Sequence, residues 1–162
     1  NRPMLIDADG LNALAGSLKK ALSLKSQATS LVFTPHPGEM ARLLKRSTAE
    51  IQKDREGAAR EVARTFKAVC LLKGHRTIVT DGSKLFVNKT GNPGMATGGS
   101  GDVLTGVVAA LMGQKLSPYD AACLGAHVHG LAGDLAARKV GEVSLIATDI
   151  LEALPQAFRR LR

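Results

Sequence analysis

Apolar positions fall into short blocks near the start of the chain and into longer, helically spaced series towards its end. Met4 to Asp7 (MLID) is a brief apolar run that predicts a strand, and Leu11, Leu14 and Leu18 follow at helical spacing. Leu31 to Thr34 predicts a second strand. It is stopped by Pro35 and Pro37, whose rings bar both helix and ladder. Glu39 to Leu44 predicts a short helix. Ser47-Thr48-Ala49-Glu50 has the form of a capping box, so a further helix is expected from there to about Lys67. Ala68 to Leu72 is apolar throughout, as a strand covered on both faces should be. Two more runs, Thr77 to Thr80 and Lys84 to Val87, flank Asp81-Gly82-Ser83 and predict a hairpin.

Three helices are expected after the hairpin. The first begins at about Gly101 and carries Val103, Leu104, Val107, Val108, Leu111 and Met112. The second begins at Ser117-Pro118, with Ser as N-cap and Pro at the first helical position. Its Ala121, Ala122, Gly125, Ala126, Ala132 and Gly133 imply close packing. The third begins near Thr148, with Ile150, Leu151, Leu154, Phe158 and Leu161 on its apolar side. Strands alternating with helices imply an α/β fold, a mostly parallel sheet covered on both faces. A length of 162 residues suits one domain, residues 1–162, with a real core.

Composition narrows the class of function. No run is long enough to cross a bilayer, and the first ten residues lack the apolar stretch of a leader peptide. The first residue is not Met and a strand begins almost at once, so a fragment or processed piece is expected. Cys70 and Cys123 lie far apart with no Cys-x-x-Cys, which points to reduced thiols and a cytoplasmic location. The net charge is +8, yet aromatics are only 3% and the Lys and Arg are scattered. The clearest basic cluster, Arg159, Arg160 and Arg162, reads as a solvated helix end. Neither nucleic acid nor a membrane is expected as partner, whereas a small polyanion fits the charge.

In parallel α/β sheets ligands bind beyond the carboxyl ends of the strands. The residues there are Asp7 and Asp9, then Thr34 to Glu39, then Lys73 to Thr77. Asp9 is expected to cap the next helix. Asn92 to Gly101 carries four glycines in ten residues and runs into a helix start. Such a turn presents unpaired N–H groups to an anion, and glycine lets a phosphate approach the backbone. Asp102 sits in the first turn, beside that phosphate. Lys73 could stabilise phosphate charge, Glu39 could hold a hydrated Mg²⁺, and His36 offers a donor or acceptor at a rigid turn. His127 and His129 are two apart on a helix and make a poor metal pair.

TPHPGE, LLKGHRT and NPGMATGGSGDVLTGVVAAL, in that order, resemble the carboxyl-terminal part of the ADP/ATP-dependent NAD(P)H-hydrate dehydratases. That family lies in the ribokinase-like superfamily. IDADGLNAL and LSPYDAACLGAHVHGLAGDLAA also match its pattern, so the resemblance covers nearly the whole chain. Related kinases usually have Asn-x-x-Glu after the comparable strand. Here His36-Pro37-Gly38-Glu39 puts His in place of Asn, which favours the dehydratase branch.

The resemblance implies a ribokinase-like domain truncated on its amino-terminal side. It implies that Lys73, Gly74, His75, Arg76 and Thr77 form a first nucleotide-binding segment. Asn92, Pro93, Gly94, Met95, Ala96, Thr97, Gly98, Gly99, Ser100 and Gly101 would form the second. His36 and Asp102 would contact the hydrated cofactor, NADHX or NADPHX, with Asp102 as the base. The implied co-substrate is ADP or ATP, with Mg²⁺. A homo-oligomer is implied as well, and fusion to or partnership with an NAD(P)H-hydrate epimerase.

Overall fold

The computed structural model describes residues 2–15 and 28–161. Leu18 and Arg162 lie outside the described residues. The elements run β1 (Arg2–Ile6), α1 (Ala8–Ala15), β2 (Ala28–Phe33), α2 (Pro37–Leu44), α3 (Thr48–Lys53), α4 (Arg55–Phe66), β3 (Val69–Leu72), β4 (Ile78–Thr80) and β5 (Leu85–Val87). A 3₁₀ turn (Pro93–Met95) precedes α5 (Ser100–Gly113), α6 (Pro118–Val140) and α7 (Ala147–Arg159).

The five strands form one sheet in sequence order, β1 at one edge and β5 at the other. β1, β2 and β3 are parallel, while β4 and β5 are each antiparallel to the strand before. The reason is connection length. Parallel neighbours need a crossover, and β3 is joined to β4 by a turn too short to supply one.

Side chains alternate across the strands and split the core in two. Leu31, Phe33, Cys70, Leu72 and Ile78 face α1 to α4. Val32, Val69, Leu71 and Val79 face α5 and α6, through Leu104, Val108, Ala122 and Ala126. The all-apolar run at β3 is thus a strand covered on both sides, with all four of its residues buried. Gly125 lets α6 close on α5, since a Cβ there would meet Val108 Cγ2 at 2.6 Å.

Three local expectations are corrected. The helix expected from Ser47 to about Lys67 is two helices. The Ser47 box forms, with Glu50 accepting the Ser47 N–H at 2.8 Å. At Asp54, however, the backbone leaves helical geometry (φ −138°, ψ 72°), and its carboxylate caps a new helix by accepting the Gly57 N–H at 2.8 Å. The last helix buries Ile150 and Ala157 against α6, but Leu151 is 53% exposed and Phe158 and Leu161 also face outward. These positions fall within an arc of about 100° of the helix, but α6 covers only the side through Ile150, Leu154 and Ala157, and Leu161 lies past the end of the helix. Asp9, expected as an N-cap, lies exposed inside the first turn of α1, because that helix already begins at Ala8.

Candidate functional site

The carboxyl ends of β1, β2 and β3 are laced together by backbone hydrogen bonds. Thr34 N–H reaches Ile6 O at 3.2 Å, and Lys73 N–H reaches Pro35 O at 2.8 Å. This lacing brings three distant segments to one end of the sheet. There a cleft of about 780 Å³ opens between the turns after β2 and β3, the loop after β5, and the faces of α5 and α6.

The turn after β2 is built by an unusual cap. His36 holds an extended backbone, and its Nδ1 accepts the N–H groups of Gly38 (3.0 Å) and Glu39 (3.4 Å). Glu39 returns the bond, its Oε2 accepting the His36 N–H at 2.8 Å. Imidazole and carboxylate thus close the reciprocal box usually made by Ser or Thr with Glu. With Nδ1 an acceptor, the ring proton sits on Nε2, which lies 3.3 Å from Glu39 Oε1. The imidazole is half exposed and lines the cleft, while the carboxylate is buried.

Lys73 ends β3 and turns back towards β1. Its Nζ donates to Asp7 Oδ1 at 2.7 Å and lies 3.9 Å from Glu39 Oε2. Asp7 also accepts Thr105 Oγ1–H at 2.8 Å from the second turn of α5. Burial raises the Asp7 pKa, but the hydrogen bonds from Lys73 and Thr105 and the lysine charge outweigh it and hold the carboxyl below its usual range. The turn itself is shaped by Gly74, at φ +130°, and by Arg55, whose Nη2 donates to the carbonyls of Leu72 and Lys73. Thr77 Oγ1–H closes the turn on Gly74 O at 2.9 Å.

The loop after β5 is anchored to α6 at two levels. Asn88, buried, donates to Ala126 O at 3.1 Å and accepts from Thr90, whose hydroxyl also reaches His127 O. Asp134 then accepts from Gly91 N–H and from the Asn92 side chain. Past the 3₁₀ turn, Gly99 takes φ +84° and α5 starts at Ser100. Ser100 Oγ lies 3.4 Å from His129 Nε2. Burial pushes the His129 pKa down to about 4, against a smaller upward effect of Ser100, so this imidazole is neutral near pH 7.

The cleft gathers most of the residues singled out in the sequence. His36, Lys73 to Thr77, Asn92, Pro93, Met95, Ala96, Thr97, Ser100 and Gly101 all line it. Gly94 does not, being packed against the Glu142 backbone, and neither do Gly98 and Gly99. Asp102 is exposed and does not line the cleft, although Gly101 and Leu104 on either side of it do, and its N–H is bonded to Gly99 O at 3.0 Å. Glu39, expected near a hydrated Mg²⁺, lies behind the wall of the cleft and is engaged by His36 and Lys73. No cluster of three or more metal-ligating side chains occurs among the described residues. With so few protein oxygens among the described residues, a divalent ion here would need phosphate oxygens and water to complete its shell. Asn88, Thr90, Ala126, His129 and Gly130 also line the cleft. Sequence reasoning missed them because their meeting is tertiary.

Comparison with known proteins bears directly on this arrangement. A family model described as NAD(P)H-hydrate dehydratase matches residues 1–156. The bifunctional NAD(P)H-hydrate repair enzyme Nnr of Moorella thermoacetica is 53% identical over 161 residues, covering 98% of this chain and 30% of that protein. The ADP/ATP-dependent NAD(P)H-hydrate dehydratase of Bacillus subtilis, co-crystallised with ATP/Mg²⁺, is 30% identical with a TM-score of 0.85. That match covers 99% of this chain and 55% of the Bacillus chain. A ribokinase-like superfamily protein of Enterococcus faecalis is 28% identical with a TM-score of 0.76, over 96% of this chain and 52% of its own. In each case the chain accounts for only part of the relative's length.

Proposed function

The chain belongs to the NAD(P)H-hydrate dehydratase family and has the ribokinase-like fold, and on that basis we propose that the protein containing it restores NADH or NADPH from their hydrates. One observation carries the reading. TPHPGE, LLKGHRT and NPGMATGGSG, far apart in sequence, converge on a single cleft at the carboxyl ends of the parallel strands.

In this reading a nucleoside di- or triphosphate, ADP or ATP, lies with its phosphates against the start of α5. The segment from Lys73 to Thr77 and the loop from Asn92 to Gly101 enclose it. His36, half exposed at the rim, meets the hydrated nicotinamide. The hydroxyl of the hydrate is a poor leaving group. It becomes a good one by attacking the terminal phosphorus of the nucleotide as the bridging P–O bond breaks. Asp102 takes the hydroxyl proton, and the N–H groups of Gly99 and Gly101 stabilise charge on the phosphoryl oxygens, that of Ser100 being bonded to Thr97 O. Phosphate then leaves the ring with the C–O electron pair, and loss of a proton from the neighbouring ring carbon to water forms the C=C bond that regenerates the dihydropyridine. When bound with the nucleotide, Mg²⁺ would supply positive charge against the phosphate oxygens.

Three wider features belong to the same proposal. The Moorella relative's bifunctional character supports fusion to a second repair activity, an NAD(P)H-hydrate epimerase. A homo-oligomer and a cytoplasmic location are proposed on family grounds. No helix among the described residues is long and apolar enough to cross a membrane.

The test is the fate of phosphate. The complete protein, given hydrated NADH with ADP or with ATP, is expected to release inorganic phosphate in step with recovery of reduced-nicotinamide absorbance. A phosphorylated product with no recovery would instead make it a small-molecule kinase on the same fold.

A further inference from the structure

Behind the wall of the cleft one ion pair joins strand ends that are 66 residues apart, and we propose that Asp7 is a positioning residue that fixes the Lys73 ammonium at its place in the cleft. Both oxygens of Asp7 are committed. Oδ1 takes the ammonium at 2.7 Å, and Oδ2 takes the Thr105 hydroxyl at 2.8 Å. The two donors come from different elements, the end of β3 and the second turn of α5. The carboxylate therefore has one rotamer that serves both. Its side chain is 10% exposed, so water competes weakly for it.

The charge balance alters the part played by Lys73. Its ammonium sits 2.7 Å from one carboxylate and 3.9 Å from a second, Glu39. The three groups together carry one negative charge. A free lysine would attract a polyphosphate from a distance and follow it into place. This lysine is already neutralised, and its long-range attraction is largely spent. What it retains is direction. Asp7 holds Nζ close to the first turn of α5, where a Cβ on Gly101 would meet it at 3.4 Å. From there its remaining N–H groups serve an acceptor at one fixed position. Glu39 also contacts His36, so the same ammonium borders the groups that shape the opposite rim.

The nucleotide part of this inference rests on the functional reading above, whereas the placement of the ammonium does not. Both are measured on the complete protein. In nitrogen-labelled protein without nucleotide, the Lys73 ammonium protons are expected to exchange slowly with water, and Asp7→Asn to make that exchange fast. Unchanged exchange overturns the proposal.

For ADP, calorimetry is expected to show about tenfold weaker binding for Asp7→Asn and at least as much for Lys73→Met. The double variant should be no weaker than Lys73→Met alone, within about twofold. Effects that multiply overturn the proposal, since Asp7 would then act by another route. Should Asp7→Asn fail to fold, Thr105→Val removes one of the two locks. It should weaken ADP by about threefold, and only while Lys73 is present. A wild-type protein that binds neither ADP nor ATP would remove the functional reading, and the ammonium exchange alone then decides the role of Asp7; where only ATP binds, the same variants are measured with ATP.

Discussion

The carboxylate of Asp134 receives the side-chain amide of Asn92 at 3.0 Å and the N–H of Gly91 at the same distance. Asn92 in turn accepts the Gly94 N–H at 3.1 Å. The Asn92 side chain is therefore spent on shaping the loop, and Asp134 on α6 is its anchor. Asp134→Ala leaves two donors without their acceptor. It should cost about 1–3 kcal/mol of stability, the scale of hydrogen bonds to a charged group. Nucleotide affinity should fall more than that loss implies for a distant site, because the loop rests on this contact. Chemical denaturation paired with calorimetry measures both.

Two adjacent glycines should respond in opposite ways. Gly99 sits at φ +84°, and a Cβ there would also come within 3.1 Å of Ala147. Gly99→Ala is expected to cost about 1–2 kcal/mol for the left-handed backbone alone. Gly98 has nothing within 4 Å of its Cβ position and no left-handed strain. Gly98→Ala should leave the melting temperature nearly unchanged. If phosphate approaches the backbone here, the same methyl group should still weaken nucleotide binding. Full nucleotide affinity in Gly98→Ala would move the phosphate away from this part of the loop.

His129 predicts an acid-sensitive fold. Its pKa lies near 4 in the folded protein and near 6.5 when unfolded, so between those values the unfolded chain binds more protons. Stability should be fully present above pH 6.5 and decline as pH falls to about 4, by up to about 1.4 kcal/mol per pH unit from this group. His129→Gln retains a polar partner for Ser100 and does not titrate. Urea denaturation from pH 7 to pH 4 should give a flatter curve for the variant than for wild type. Parallel curves would show that the buried imidazole does not set the slope.

Much of this site was legible in the chain because local chemistry writes it there. Pro35 and Pro37 end β2 wherever the rest of the molecule lies, and Ser117 and Pro118 start α6 by the same local rule. The hairpin after β3 follows from its turn residues alone. What escaped was either unusual capping or tertiary meeting. His36 caps a helix through a ring nitrogen, a role that residue preferences assign to Ser, Thr, Asp or Asn. Asp54 followed three residues later by Gly57 was a readable restart signal, hidden by the helical pattern on both sides. Asp7 finds Lys73 and Thr105 across 66 and 98 residues, and Ser100 finds His129 across 29. No spacing rule reaches so far. His129 looked idle because a metal was the only partner considered for it.

Asp102 allows binding and chemistry to be separated. It stands in the first turn of α5, exposed, between Gly101 and Leu104, which line the cleft. The proposed role as base requires only that its carboxylate is free of the fold, as its exposure allows. Asp102→Asn keeps the shape but cannot take the proton. If the phosphates lie at the start of α5 as proposed, it also removes a negative charge beside them, so nucleotide affinity should hold or rise. Turnover of hydrated NADH by the complete protein should fall by about a hundredfold or more, the usual scale for a positioned base. Calorimetry with ADP and recovery of the reduced-nicotinamide absorbance make the paired measurement. Full activity in the variant would mean that Asp102 serves only the helix start and that the base lies elsewhere. Loss of affinity together with activity would assign it instead to holding Mg²⁺ or the loop.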